Sequence, residues 1–127
     1  MLGQETTKIL VVDDNRINLF LAKKVLSEWL PKAFILEAVN GLEALNETVK
    51  QQPDIIFMDI QMPVMDGHEA TKEIRKLPQG KQIKIIALTA NNTLEEKDLC
   101  LQNTMQAYLS KPIVLEELKK TVIQLLK

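Results

Sequence analysis

Five short apolar runs, rich in β-branched residues and each followed by a longer stretch with helical spacing, constrain this chain more than any other feature. The runs cover residues 8–12, 34–39, 54–58, 83–88 and a brief 107–109, each about the length of a buried strand. The second, third and fourth are apolar over consecutive positions, as expected where helices cover both faces of a parallel sheet. Ala22, Val25, Leu26 and Trp29 form one helical stripe, and Leu42, Leu45 and Val49 a second. Ala70, Ile74 and Leu77 form a third, and Leu115, Leu118, Val122 and Leu125 a fourth. The stretch from Leu94 to Leu101 is less regular, although Thr93 and Glu96 have the spacing of a capping box. Pro31, Pro53, Pro78 and the Gln79-Gly80 pair punctuate helix ends and loops. Five strand–helix units in succession predict an α/β fold with a parallel sheet and right-handed crossovers.

At 127 residues the chain fits one domain, expected over 1–127 with its core over about 7–127 and no output domain. A chain of this size buries roughly two-thirds of its unfolded surface, enough for a core without staples. No apolar run approaches the ~20 residues needed to cross a membrane, and no membrane contact is expected. The single Cys100 cannot form an internal disulfide, which makes a reducing, cytoplasmic setting the expectation. A net charge of −1 with scattered Lys and Arg lacks the basic footprint of nucleic-acid binding.

The polar residues that carry chemistry fall at the C-terminal ends of the runs, the edge at which open α/β sheets bind ligands. Run one ends in Asp13-Asp14-Asn15, run three in Asp59 and run four in Thr89-Ala90, while Ser110-Lys111-Pro112 follows run five. Asn40-Gly41 after run two reads as a turn and helix start. If strands one and three are neighbours, Asp13, Asp14 and Asp59 come within several ångströms of one another. Two unit charges about 4 Å apart cost on the order of 4 kcal/mol at an effective dielectric of 20, so three carboxylates call for a cation. Hard oxygen donors without His or Cys suit Mg²⁺ or Mn²⁺. Lys111, the Thr89 hydroxyl and loop amides complete a set that stabilises a phosphoryl group in transfer. A carboxylate held on one oxygen can attack phosphorus with the other, and an unperturbed Asp, pKa about 3.9, is ionised near neutral pH. In the segment after Asp59, Pro63 restricts the loop and Asp66 caps the third helix, holding the Gln61 carbonyl near the cation.

These pieces together resemble the receiver domains of two-component response regulators and hybrid histidine kinases, over nearly the whole chain. The resemblance rests on Asp13-Asp14, on Met58-Asp59-Ile60-Gln61-Met62-Pro63 with Asp66-Gly67, and on Thr89-Ala90, Tyr108 and Lys111-Pro112. It implies a flavodoxin-like (βα)5 sheet of strand order 2-1-3-4-5, with Asp59 as phosphoacceptor. It also implies Mg²⁺ held by Asp14, Asp59 and the Gln61 carbonyl, with Asp13 reached through water. Lys111 and Thr89 would contact phosphoryl oxygens with the Ile60 and Ala90 amides, Thr89 and Tyr108 would form a switch pair, and the Lys111–Pro112 bond would be cis. The implied partner is a phosphorylated histidine kinase or histidine phosphotransfer domain. Self-phosphorylation and self-dephosphorylation are the only turnover expected, and oligomers would form through the fourth helix, fifth strand and fifth helix. The setting would be cytoplasmic, alone or as the cytoplasmic portion of a membrane-anchored kinase.

Two positions depart from the family pattern. Thr104, after Asn103, stands where a Gly usually follows the fourth helix, so either that turn is strained or Asn103 takes the left-handed position. The fifth helix starts around Val114 without a capping side chain. His68 is expected to be exposed and without a role, Cys100 to be a small helix residue, Met62 and Met65 to be loop packing, and Trp29 to close the core edge. An aspartyl-phosphate phosphohydrolase would need a second Asp where Gln61 stands. A flavin or nucleotide module would meet repulsion from Asp13-Asp14 at its phosphate loop. A receiver that binds partners without phosphorylation would be expected to lack the acceptor, an acid or the lysine, and all are present.

Overall fold

The computed structural model describes residues 7–90, 93–111 and 113–125. In chain order the elements are β1 (Lys8–Val12), α1 (Arg16–Trp29), β2 (Phe34–Ala38), α2 (Gly41–Gln51), β3 (Ile55–Asp59) and α3 (Gly67–Arg75). A short 3-10 turn (Gly80–Gln82) leads to β4 (Lys84–Thr89), α4 (Leu94–Gln102), β5 (Ala107–Ser110) and α5 (Leu115–Leu125). All strand pairs are parallel, in the order β2-β1-β3-β4-β5. From β1 the chain steps outward to β2, then crosses back to β3 on the other side, so the topological switch point lies between β1 and β3.

Alternation along the central strands sends successive side chains to opposite faces. Leu10, Val12, Ile56, Met58, Ile85 and Ala87 pack with Ala44, Ala70, Ile74 and Cys100 of α2, α3 and α4. Ile9, Val11, Ile55, Phe57, Ile86 and Leu88 pack on the other face with Leu19, Ala22 and Leu26 of α1 and Leu118 and Val122 of α5. Both faces of β1, β3 and β4 are therefore apolar, which is why their sequences run apolar without interruption. The second run does not share that burial, because β2 is an edge strand with Phe34 and Glu37 exposed.

Strands three, four and five extend further toward their C-termini than the runs suggest. Asp59 pairs with Leu88 and Thr89 with Ser110, so the polar residues remain rungs of the ladder and inherit its rigidity.

On α2 the expected stripe of Leu42, Leu45 and Val49 is displaced. The buried positions are Gly41, Ala44 and Thr48, while Leu42 and Val49 are 43% and 51% exposed. The cause is a close approach: the Gly41 amide donates to the Met65 carbonyl at 2.9 Å, and a Cβ at Gly41 would lie 2.3 Å from that oxygen. Small residues let α2 approach the loop, and that contact sets the rotation of the helix.

α4 ends in a Schellman motif, with Met105 N–H donating to Cys100 O and Thr104 N–H to Leu101 O, each at 3.0 Å. Thr104 itself takes the left-handed position at φ 64°, and Asn103 stays at φ −88°. Arg75 holds the strained residue by donating to its hydroxyl (3.1 Å) and its carbonyl (2.7 Å). Trp29, Met62 and Met65 pack at the core edges as expected. Among the described residues no helix is long and apolar enough to cross a membrane.

Candidate functional site

Register builds the site. Val12 pairs with Met58, so Asp13 and Asp59 emerge level with each other from β1 and β3 at the switch point. Asp13 is 2% exposed and is fixed on both sides of its own backbone. Its amide donates to Ala38 O (3.1 Å), and its Oδ1 accepts the Asn15 amide (2.9 Å). Asn15 then caps α1, accepting from the Ile17 and Asn18 amides, and so fixes the direction in which the chain leaves the acids. Asp14 is exposed between them. Carboxylate oxygens of Asp13, Asp14 and Asp59 all lie within 4.8 Å of one another.

Lys111, whose amide donates to Thr89 O at 2.9 Å, arrives from the end of β5. Its ammonium lies 3.1 Å from Asp13 Oδ2 and 3.0 Å from Asp59 Oδ1. Desolvation pulls its pKa down, but the hydrogen bonds and charges of Asp59 and Asp13 outweigh this and hold it above the ordinary value. At Asp59 the balance falls the other way. Burial raises its pKa, Lys111 lowers it, and Asp13 and Asp14 raise it again, with the result at about 6. An unperturbed value therefore does not hold: desolvation of the buried carboxylate raises it most, and Lys111 offsets this and the repulsion of Asp13 and Asp14 only in part. Oxygen donors alone, an excess of negative charge and an exposed third acid that leaves room for water fit a hard divalent cation.

Ile60 is buried and its amide donates to Leu88 O at 3.2 Å, so a phosphoryl oxygen would compete with the ladder for that donor. Beyond it, Val64 takes φ 71° in a tight γ-turn closed by the Met65 amide on Pro63 O at 2.8 Å. Asp66 and Glu69 form a reciprocal capping box at the start of α3. Gln61 is exposed on this loop. Thr89 is buried at the end of β4 and Ala90 follows it exposed. Tyr108 lies one strand over, pairs with Ala87 and carries the Lys97 ammonium 4.9 Å above its ring. Pro112, and with it the Lys111–Pro112 peptide bond, lies outside the described residues.

Two features escaped the sequence reading. Gly67 approaches the acceptor strand so closely that a Cβ there would stand 2.3 Å from the Asp59 carbonyl oxygen. Gly67→Ala is expected to displace the Asp59 backbone and cost about 2 kcal/mol or more, read as a lower urea midpoint. His68 is not exposed: its ring is 13% accessible and lies between Glu96 of α4 and Asn103, which caps the end of that helix.

The family profile of the response regulator receiver domain matches residues 9–123. This chain belongs to that family. As a receiver domain of two-component phosphorelay signalling, it is 37% identical over 126 residues to the sensor histidine kinase GacS of Pseudomonas protegens, a match covering 97% of the chain. It is 40% identical over 116 residues, or 90% of the chain, to the sensor histidine kinase RcsC of Escherichia coli K12. The chain spans 14% and 12% of those proteins' lengths. Among solved structures, the receiver domain of a Pseudomonas aeruginosa sensor histidine kinase superposes with TM-score 0.85 at 34% identity. That match covers 94% of this receiver and 97% of the other, which has a magnesium ion coordinated in its active site cleft. The receiver domain of Saccharomyces cerevisiae Ssk1, in its co-crystal with the histidine phosphotransfer protein Ypd1, superposes with TM-score 0.85 at 32% identity, covering 94% of this chain and 88% of the other.

Proposed function

We propose that Asp59 accepts a phosphoryl group from a phosphohistidine, with Mg²⁺ (or Mn²⁺) held by Asp14, Asp59 and the Gln61 carbonyl and reached by Asp13 through water. The observation that carries this reading is the level emergence of Asp13 and Asp59 at the switch point, with one lysine bonded to both. A bound divalent cation supplies the positive charge that ionises Asp59 fully and neutralises the oxygens of the incoming group. The receiver's own residues do the rest. An Asp59 oxygen attacks phosphorus, the P–O bond forms as the P–N bond breaks, and the donor imidazole leaves with the electron pair and takes a proton. Lys111 transfers its hydrogen bonds from the carboxylates to the phosphoryl oxygens, joined by the Thr89 hydroxyl and the Ile60 and Ala90 amides. Rigid ladder positions hold Asp59 and Thr89, so catalysis here is mainly placement and charge.

The donor reaches the site over α1, where Ile17 and Phe20 are 69% and 66% exposed and Leu21 is also exposed. Leu21, Val25, Leu88 and Ile113 line a cleft of about 310 Å³ whose polar end is Asp13 and Lys111. An apolar rim around a charged centre fits a phosphorylated histidine kinase or phosphotransfer domain better than a small soluble donor. After transfer, Thr89 turns toward the phosphate and Tyr108 follows, and the surface of α4, β5 and α5 carries the change to a partner or a second copy. Charge-assisted bonds to the dianion bias an equilibrium between two arrangements.

The receiver incubated with a phosphorylated kinase or phosphotransfer domain is expected to take label only with Mg²⁺ present. The bond should be labile to base and hydroxylamine, and ATP alone should leave the chain unlabelled. Acid-stable label on Ser or Thr would sink the proposal.

A further inference from the structure

We propose that His68, Glu96 and Cys100 form a second metal site, for Zn²⁺, where the first turn of α3 meets α4. The site is separate from the acidic pocket and differs from it in ligand chemistry. Glu96 and Cys100 are one turn apart on α4, and residues at that spacing share a helix face. Across from them, His68 Nε2 lies 3.2 Å from Glu96 Oε1, and the ligand atoms of all three residues lie within 4.8 Å of one another. Zinc bonds of about 2.0–2.3 Å to nitrogen, oxygen and sulfur put tetrahedral ligands roughly 3.3–3.7 Å apart, so small side-chain rotations close the shell. Thiolate, imidazole and carboxylate together select Zn²⁺ over Mg²⁺.

The surroundings fit a ligand role. Cys100 is 1% exposed, and among the described residues its sulfur makes no hydrogen bond. The other imidazole nitrogen, His68 Nδ1, lies 2.9 Å from the Asn103 amide group. The two ends of an amide differ only by a flip. With the carbonyl end turned inward, Asn103 accepts the Nδ1 proton and leaves the Nε2 lone pair free for metal, the outer support that metal-bound histidines usually have. His68 and Glu96 keep 13% and 17% exposure, which leaves a fourth position open to water. Binding sends the thiol proton to solvent, and the burial that resists this makes the site weaker than one built from several thiolates. The consequence is mechanical. Cys100 is the buried residue on α4, and a metal would add a bridge from that helix to α3.

Cobalt(II) tests the site, with excess Mg²⁺ present to occupy the acidic pocket. The wild-type receiver should bind one equivalent with tetrahedral visible bands and a sulfur-to-cobalt charge-transfer band, and Zn²⁺ should displace both. Cys100→Ala should lose the charge-transfer band. Because that change also opens space in the core, His68→Gln and Glu96→Gln serve beside it, each weakening Zn²⁺ binding about tenfold or more. Zn²⁺ should raise the melting temperature of the wild type and leave that of these two variants nearly unmoved. A charge-transfer band that persists in Cys100→Ala, equal affinity in His68→Gln, or no saturable one-to-one binding would overturn the assignment.

Discussion

Asp59→Asn is expected to abolish phosphoryl labelling and, in metal-free buffer, to raise the melting temperature. The first effect follows from loss of the nucleophile. The second follows from burial and charge: Asp59 is desolvated beside two other acids that share one lysine, and an amide at position 59 removes that buried negative charge. Folded Asp59 titrates at about 6 against 3.8 for the free group. Between those values the folded state binds more protons than the unfolded chain, so metal-free stability falls as pH rises through that window and stays lowered above it. The Asn protein should lack that slope and gain roughly 1–3 kcal/mol near neutral pH, or several degrees in a domain of this size. Mg²⁺ should stabilise the wild type strongly and the Asn protein little, with the wild-type benefit fading below about pH 6 as Asp59 is protonated. Melts across pH 4 to about 8, with and without Mg²⁺, separate these outcomes. An unchanged slope in the Asn protein would locate the strain elsewhere.

Arg75→Ala should be the most damaging of the surface-charge substitutions outside the site. The Arg75 guanidinium donates to Gly80 O (2.5 Å), Ile83 O (2.7 Å), Thr104 O (2.7 Å), Thr104 Oγ1 (3.1 Å) and Gln106 Oε1 (3.0 Å). It ties the end of α3 to the start of β4 and to the turn before β5. Truncation takes the guanidinium donor from the part-buried Gly80 and Ile83 carbonyls and leaves Ile83 O with only the long 3.4 Å bond from Gln106 Nε2. The cost is about 1–3 kcal/mol for each carbonyl left unsatisfied where water cannot reach. Partial access at the exposed Thr104 end brings the expected loss to about 3 kcal/mol, measured by urea unfolding. Arg75→Lys should recover only part of it, since an ammonium cannot span five acceptors in one plane. Adding Thr104→Gly to Arg75→Ala should return some stability, because Gly holds φ 64° without support. A loss below about 0.5 kcal/mol in Arg75→Ala would mean that water replaces the network freely.

The sheet and the acids were legible in the sequence because both depend on local, repeated physics. Strands buried on two faces must be apolar at every position, and Asp13, Asp59, Thr89 and Lys111 stand where such runs stop. The capping positions Thr93 and Asp66 also accept the backbone bonds expected of them, and α2 starts at the Asn40-Gly41 pair. What escaped depends on contacts between segments far apart in sequence. Leu42 and Val49 have helical spacing on paper, but the Gly41–Met65 bond rotates α2 away from them. Nothing near Arg75 in sequence signals acceptors at Gly80, Ile83 and Thr104. His68 reads as a surface residue until α4 is laid beside it. Thr104 is visible as a departure from the family, but its left-handed turn is held by Arg75. The raised pKa of Asp59 depends first on burial in a pocket drawn from three strands and then on the charges gathered there.

The Gly41–Met65 bond also bears on how such domains can be recombined. The segment between Asp59 and Asp66 looks like an exchangeable cassette, bounded by a strand and a helix cap. Its tight turn at Val64 presents the Met65 carbonyl to the amide of a residue more than twenty positions earlier, with no room for a side chain there. A chimera that imports this loop without a glycine opposite Met65 would inherit a collision, and one that imports α2 alone would leave the loop untethered. The loop and the start of α2 are one inherited unit written in two places.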